Sequence, residues 1–484
     1  MRWTVEEVAC ALGVTRPAGL EAVARMAGVS IDSRTVARGE LFVAIHGPRH
    51  DGHNFVAAAL ESGALACVVN QQRWPEFSGV VCDRLFPVPD TLASLQLLAQ
   101  AVRAKWGRRV AAVTGSAGKT TTKEILAALL GSRFRILKSE GNLNNEFGLP
   151  LQLLRLDDAD QAAVVELGMS HAGELKRLAE IARPDVGVVT RVAPVHLEFF
   201  ASLDAIALAK RELIEGLSGA DSVSVLNADD PRVARFSEVA PGRVLTYGIE
   251  NQSDFRAENI DNRGMDGSEF DLVAPQDGAR LRLPLAGRHN IYNVLAALAA
   301  ASVWGVGARQ AQEVFPGLQA TGMRGRILNY EAGFSVINDC YNSNPVALAA
   351  MVDLLAHTPA SGRRIVAAGE MLELGPTSSQ LHRQAGREAA AEKIDWIIGV
   401  QGDAQSFVQG AVEAGHPAAQ THFFSSSDEA AGFVAELLQP GDLALVKGSR
   451  GVKMERVVEA LDKQFGQAKA EPSFGAPGSL KERG

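Results

Sequence analysis

The chain has 484 residues, enough for two to four domains with a core each. A hydrophobic share of 46%, a charged share of 21% and a net charge of −8 fit an ordinary globular protein and exclude a general nucleic-acid binder. Four cysteines lack Cys-x-x-Cys or zinc spacing, and no apolar run is long enough for a signal peptide or a membrane span, so a cytoplasmic protein with reduced thiols and no membrane insertion is expected.

Residues 1–84 read as a small α/β unit. Leu41–Ile45 and Ala66–Val69 are strand candidates, and Phe55–Leu60 reads as a helix. Between them lie Asp32-Ser33-Arg34 and Asp51-Gly52-His53-Asn54-Phe55. Such residues are common in turns for backbone reasons, and taken alone they leave a turn and a functional role equally open.

Residues 85–321 alternate strand-like and helix-like segments. The apolar run Val110–Val113 leads into Thr114-Gly115-Ser116-Ala117-Gly118-Lys119-Thr120-Thr121-Thr122, and a helical pattern follows over Lys123–Leu130. Strand, glycine-rich turn and helix make the context of a phosphate loop. Glycines let the backbone approach phosphate oxygens, and the free N–H groups of a helix start point at them. Lys119 adds a mobile positive charge, and Thr120 offers a hydroxyl to Mg²⁺. Val113 stands where the strict Walker pattern has its first glycine.

Ala162–Leu167, Val186–Thr190 and Val223–Leu226 are apolar runs without alternation, as in a parallel sheet buried on both faces. Open sheets of this kind bind ligands at the carboxyl ends of their strands. Glu166 ends one run and His196 follows another. Singly, they suit a cap and a satisfied loop histidine; together beside a phosphate loop they point to divalent cations. Mg²⁺ prefers oxygen, so the imidazole suggests a second metal. Lys210, in Ala209-Lys210-Arg211-Glu212, lies on a helix where a solvated Lys–Glu face is the plain alternative. Residues 250–285 read as small antiparallel strands. Asn290, in Gly287-Arg288-His289-Asn290-Ile291-Tyr292-Asn293, is either a helix cap or a reader of an adenine edge.

Phe315–Gly325 marks a boundary. Residues 322–465 give another α/β set, with strands expected at Ser335–Asn338, Arg364–Ala368, Trp396–Val400 and Leu443–Val446. Polar clusters again follow the strands: Asp339-Cys340-Tyr341-Asn342-Ser343-Asn344-Pro345, Gly369-Glu370-Met371, and Lys447-Gly448-Ser449-Arg450. Residues 466–484 are rich in Pro, Gly and charge, and a disordered tail is expected.

Lined up, these segments resemble the Mur ligase family over almost the whole chain. Thr114–Thr122 is similar to its T-G-x-x-G-K-T-T, and Gly141–Pro150 to its G-N-x-N-N-x-I-G-x-P, with Phe147 replacing an aliphatic residue. Glu166-Leu167-Gly168, His196-Leu197-Glu198 and Ala209-Lys210 fall in the family's order. Asp339–Pro345 resembles D-x-Y-N-x-N-P, and Gly369–Gly375 resembles G-D-M-x-E-L-G with Glu370 for Asp. These last two point to the branch that adds D-alanyl-D-alanine. No Asp-Asn-Pro-Arg motif of the branch adding the third residue is present. Folylpolyglutamate synthases lack a unit like residues 30–65.

The resemblance implies three α/β domains: an N-terminal UDP-binding unit, a central P-loop-like ATPase domain with a mostly parallel sheet, and a C-terminal Rossmann-like domain. Ser33 and Arg34 would lie near the uridine diphosphate. Thr114 to Thr121 would form the nucleotide loop, with Gly118, Lys119 and Thr120 cradling the ATP phosphates. Thr120 and Glu166 would bind one Mg²⁺, and His196 a second together with Lys210, carbamylated by CO₂. Asn290 and Asn293 would contact adenine, Arg326 the γ-phosphate and Asp339 the ribose. Asn144 and Asn145 would line the muramyl-peptide path, and Asn342 and Asn344 would help position D-Ala-D-Ala.

The implied reaction is an ATP-dependent ligation of D-Ala-D-Ala to UDP-N-acetylmuramoyl-tripeptide through an acyl phosphate. It is a step of peptidoglycan synthesis, and so of cell-wall growth, shape and division. ATP phosphorylates the carboxylate because its oxygen is a poor leaving group, and cations screen the two anions. A monomer whose domains close over the nucleotide is expected. The alternatives are a related ligase or folylpolyglutamate synthase adding a single amino acid, and a nucleotide-dependent ATPase switch.

Overall fold

The computed structural model describes residues 3–470, apart from 48, 49, 78, 276 and 321. A short antiparallel ribbon, Trp3–Thr4 with Arg25–Met26, precedes a four-stranded parallel sheet ordered Val29–Ser30, Leu41–Val43, Ala66–Asn70, Leu85–Val88. The last strand lies beyond the boundary expected at residue 84, so the N-terminal unit extends past it. Pro87 disguises that strand. Proline cannot donate to a ladder and is confined to edges, and this strand is an edge.

Helix Thr91–Trp106 ties the first unit to the second. Asp90 caps it, accepting from the Ala93 N–H at 2.9 Å. Leu95 and Leu98 pack into the core of the N-terminal sheet with Leu41 and Val43. Ala99, Val102 and Trp106 pack into the central core with Val110 and Leu153. One helix shared by two cores resists independent motion of the units it joins.

The central sheet has nine strands among the described residues. They are ordered Ala279–Leu283, Ser268–Val273, Phe255–Asn262, Arg243–Gly248, Val223–Asn227, Val186–Val189, Arg109–Thr114, Ala162–Glu166, Ile136–Lys138. From Ile136–Lys138 through Phe255–Asn262 every pairing is parallel; the rest is an antiparallel meander, as expected for residues 250–285. Two strands were not legible in the sequence. Ile136–Lys138 is three residues long at an edge, and Arg243–Gly248 starts exposed without an apolar run.

The C-terminal sheet is ordered Thr421–Phe424, Trp396–Val400, Arg364–Gly369, Leu443–Lys447, Ser335–Asp339, Arg326–Asn329, Lys469–Ala470. It is parallel up to Ser335–Asp339, and the last two strands are antiparallel. The disordered tail expected from residue 466 thus begins with a strand: Lys469–Ala470 pairs with Leu328 and Asn329. Residues 471–484 of that expectation lie outside the described residues. No helix among the described residues is long and apolar enough to cross a membrane.

Candidate active site

A cavity of about 750 Å³ opens between the central and C-terminal sheets, lined by strand-end residues of both. Its floor is the phosphate loop. The loop's helix runs Lys119–Gly131, starting four residues earlier than its periodicity shows. Gly118 takes the N-cap position with φ +84°. A Cβ there would stand 2.3 Å from Asn293 Oδ1, and one on Gly115 (φ +146°) would stand 1.8 Å from Thr190 Oγ1. Only glycine fits both the dihedrals and the space.

Loop side chains are bound into their surroundings. Ser116 Oγ donates to Ala193 O at 3.1 Å and accepts from the Ala193 N–H at 2.9 Å. Thr190 Oγ1 donates to Ala117 O at 2.6 Å, and Lys119 Nζ to Gly115 O at 2.9 Å. Thr121 lines the cavity. Thr114, expected among the nucleotide contacts, is instead fully buried, its hydroxyl donating to Leu167 O at 2.9 Å. Burial lowers the pKa of Lys119, Glu166 opposing the shift and Arg324 adding to it.

Thr120 and Glu166 meet: the hydroxyl donates to Glu166 Oε2 at 2.7 Å. Asn144 Nδ2 donates to Glu166 Oε1 at 2.8 Å, so the peptide-path asparagine reaches the same carboxylate. A hydroxyl and a carboxylate beside a phosphate loop suit Mg²⁺, which keeps few protein ligands and completes its shell with phosphate oxygens and water. Asn145 lines the cavity while its Oδ1 accepts from the Gly148 N–H at 2.9 Å. Asn293 accepts from Thr122 Oγ1 at 3.3 Å and donates to Asn290 Oδ1 at 3.0 Å. Asn290 is not the cap: Gly287 holds that position, and Asn290 Nδ2 donates to Ala286 O at 2.7 Å. Both amides line the cavity.

Lys210 does not lie on a solvated face. It is 2% exposed, and among the described residues no carboxylate pairs with it. Burial, reinforced by the charge of Lys119, drives its pKa well below the ordinary lysine value. His196 lines the cavity with φ +57°, and its Nδ1 is hydrogen-bonded to Glu373 of the C-terminal domain, whose carboxyl is held below the usual carboxylate range by that ring.

The opposite wall is C-terminal. Asp339 pairs with buried Lys447 at 2.6 Å, and the same ammonium donates to Asn342 O at 2.9 Å. Asn344 caps helix Pro345–His357, accepting from the Ala347 N–H at 2.9 Å, so its oxygen already has a partner. Arg326, expected at the γ-phosphate, is an exposed residue of strand Arg326–Asn329 and does not line the cavity. Arg324 does, its guanidinium 4.0 Å from the centre of the Tyr341 ring. The run Met323-Arg324-Gly325-Arg326 offers two arginines, and no period in it says which faces inward.

Ser33 and Arg34 do not line the cavity. Arg34, with an 85% exposed side chain, grips Asp32 through two hydrogen bonds, 2.9 Å from Nε and 2.6 Å from Nη2. This bidentate pair brings the Asp32 carboxyl down to about 2. Glu370 turns away as well, accepting from the Asp403 N–H at 3.0 Å. Besides Arg324, the sequence reading missed Lys447, Glu373 and His289 as cavity residues. All three lie in or beside polar segments of the sequence, at Gly287–Asn293, Gly369–Gly375 and Lys447–Arg450.

A phosphate loop facing a second α/β domain across one cavity defines a nucleotide-dependent α/β enzyme. Three family descriptions match along the chain: "Mur ligase family, catalytic domain" over residues 25–103, "Mur ligase middle domain" over 113–301, and "Mur ligase, glutamate ligase domain" over 323–450. The UDP-N-acetylmuramoyl-tripeptide–D-alanyl-D-alanine ligase of Bacillus subtilis is 34% identical, the match covering 90% of this chain and 93% of that one. The crystal structure of MurF from Acinetobacter baumannii superposes with a TM-score of 0.86 at 30% identity, covering 96% of this chain and 99% of that one. MurF ligase from Thermotoga maritima, solved with ADP, gives 0.78 at 28% identity over 90% and 97%. The chain belongs to the Mur ligase family.

Proposed function

We propose that this chain is an ATP-dependent ligase that joins D-alanyl-D-alanine to UDP-N-acetylmuramoyl-tripeptide through an acyl phosphate. The observation that carries the reading is one cavity holding both the Lys119 loop and the Asp339–Asn344 segment, in a chain similar to such ligases over nine-tenths of its length. A pure ATPase switch has no need of the Asn-rich segment at 142–145, which lines the same cavity. Addition of D-Ala-D-Ala rather than one amino acid is supported by the tripeptide–dipeptide ligases among the relatives.

On this reading ATP lies between the loop and the C-terminal wall, with Asn290 and Asn293 toward adenine and Asp339 toward the ribose. Lys119 and Arg324 are the cations that neutralise the phosphates and the negative charge of the transition state. Arg324 takes the role expected of Arg326, because Arg324 reaches the cavity. Mg²⁺ supplies further charge neutralisation, held by Thr120 and Glu166 at one position and by His196 and carbamylated Lys210 at a second. The buried Lys210 amine is suited to adding to CO₂: a neutral nitrogen forms the N–C bond and sheds a proton, turning a base into an anionic oxygen ligand. Asn144 and Asn145 line the path of the muramyl peptide, Ser33 and Arg34 hold its UDP end, and Asn342 and Asn344 serve the dipeptide. Docking of the C-terminal domain shields the acyl phosphate from water. The enzyme acts as a cytoplasmic monomer on small-molecule substrates, in peptidoglycan synthesis.

The test is phosphate release from ATP and Mg²⁺ with UDP-N-acetylmuramoyl-tripeptide, D-Ala-D-Ala added or withheld, and the product read by mass. Release that needs both substrates, with a mass gain of one dipeptide less water, is expected. Release indifferent to both would leave only an ATPase.

A further inference from the structure

His196 and Glu373 meet across the seam between the central and C-terminal domains, the ring Nδ1 against Glu373 Oε2. Both hold left-handed backbone, φ +57° and +63°, which side chains other than glycine rarely adopt. The backbones interlock around them. The Glu198 N–H donates to Glu373 O at 3.3 Å, and a Cβ on Gly375 would stand 2.9 Å from Leu197 O. Both side chains border the cavity. Strained residues persist where their surroundings over-determine them, and such places cluster at functional sites.

A carboxylate accepts only, so Nδ1 carries a proton, and in the neutral ring the lone pair is then on Nε2. Among the described residues Nε2 has no partner. A carboxylate on one imidazole nitrogen with a cation on the other is a common way of orienting a histidine ligand and raising its basicity. Here the two halves come from different domains. Thr120, Glu166 and His196 belong to the central domain, on a helix start, a strand end and a loop, and Glu373 follows strand Arg364–Gly369 of the C-terminal sheet. In this docked arrangement the carboxylate reaches the ring across the domain seam.

We propose that Glu373 is a positioning residue that prepares His196 as a cation ligand in the docked state alone, so that domain closure and loading of the second divalent cation are one event. The proposal rests on the ligase reading above and its placement of His196. Glu373 itself touches neither nucleotide nor cation; it acts through the ring.

The test titrates Mn²⁺ into the full chain with a non-hydrolysable ATP analogue, following free Mn²⁺ by electron paramagnetic resonance. Wild type, His196→Ala, Glu373→Ala and Glu373→Gln are compared. Wild type is expected to bind two Mn²⁺ and His196→Ala only one. Glu373→Ala is expected to weaken the second site about 10–100-fold and leave the first unchanged. Glu373→Gln, whose amide oxygen still accepts from Nδ1–H, should stay close to wild type. Should the alanine variant not fold, Glu373→Met removes the acceptor at similar volume. A second site of wild-type affinity in Glu373→Ala overturns the proposal. So does equal weakening of both sites in the alanine and glutamine variants with a lowered Tm, which marks a merely structural contact. If His196→Ala also keeps both sites, the placement of His196 falls, and with it the underlying reading of this metal centre.

Discussion

The two walls of the cavity are built differently. On the central wall, functional side chains hold one another: Thr120, Glu166 and Asn144 form one chain of hydrogen bonds, and Thr122, Asn293 and Asn290 another. On the C-terminal wall the side chains are held singly or in isolated pairs rather than in chains. Asn344 caps a helix, Asp339 pairs with Lys447 on the neighbouring strand, and Arg324 rests on Tyr341. The first wall is preorganised before a nucleotide arrives. The second works only where docking brings it. A preorganised wall loses most when one member is removed, because its partners are left buried and unpaired.

That contrast can be broken. Lys119→Ala is expected to have the largest effect, removing a charge aimed at the phosphates. One such electrostatic contact is worth roughly 3–4 kcal/mol of barrier, about 10²–10³ in rate, so kcat for product formation should fall by at least that much. Retained circular dichroism would place the loss in chemistry, and a kcat within tenfold of wild type would show that the loop is not the phosphate site.

Lys210→Ala should lose much of the ligation activity, though less than Lys119→Ala, and be partly restored by added short carboxylic acids. Full activity without rescue would end the carbamate reading. Next is the pair Arg324→Ala and Arg326→Ala. The first should lower kcat/KM by about 10²–10³, and the second, on an exposed strand position, should change it little. The reverse order would mean that the arrangement of this seam changes during turnover.

Gly115→Ala tests packing rather than charge. The new methyl would meet Thr190 Oγ1 at a dihedral that alanine avoids, so a loss of about 1–3 kcal/mol in stability is expected, read as a lowered Tm. The smallest effect lies outside both walls, at Asp32 and Arg34. The Asp32 pKa is depressed in the fold, so its contribution is present above the unfolded value of about 4 and lost as pH falls towards about 2. The pair is exposed, so Arg34→Ala should lower Tm at pH 7 only slightly, and that small difference from wild type should vanish as pH falls towards about 2. A large loss of Tm at neutral pH would show that the pair is structural.

The sequence by itself determined the three-part α/β organisation and most of the central wall. Those features are local: a buried parallel strand is an unbroken apolar run, and a phosphate loop is contiguous, so Thr114 to Thr122 carried both its position and its chemistry. What only the tertiary structure decided was where side chains point across elements far apart in the chain. It turned Arg324 inward rather than Arg326, buried Lys210 on a helix that reads as a charged face, took Thr114 out of the cavity and gave Lys447 to Asp339. It also drew Leu85–Val88 into the N-terminal sheet across the expected boundary. Periodicity reports which residues share a face. Which face meets the cavity is set by the packing of whole sheets, and the meeting of His196 with Glu373, 177 positions apart, exists only once two domains have docked.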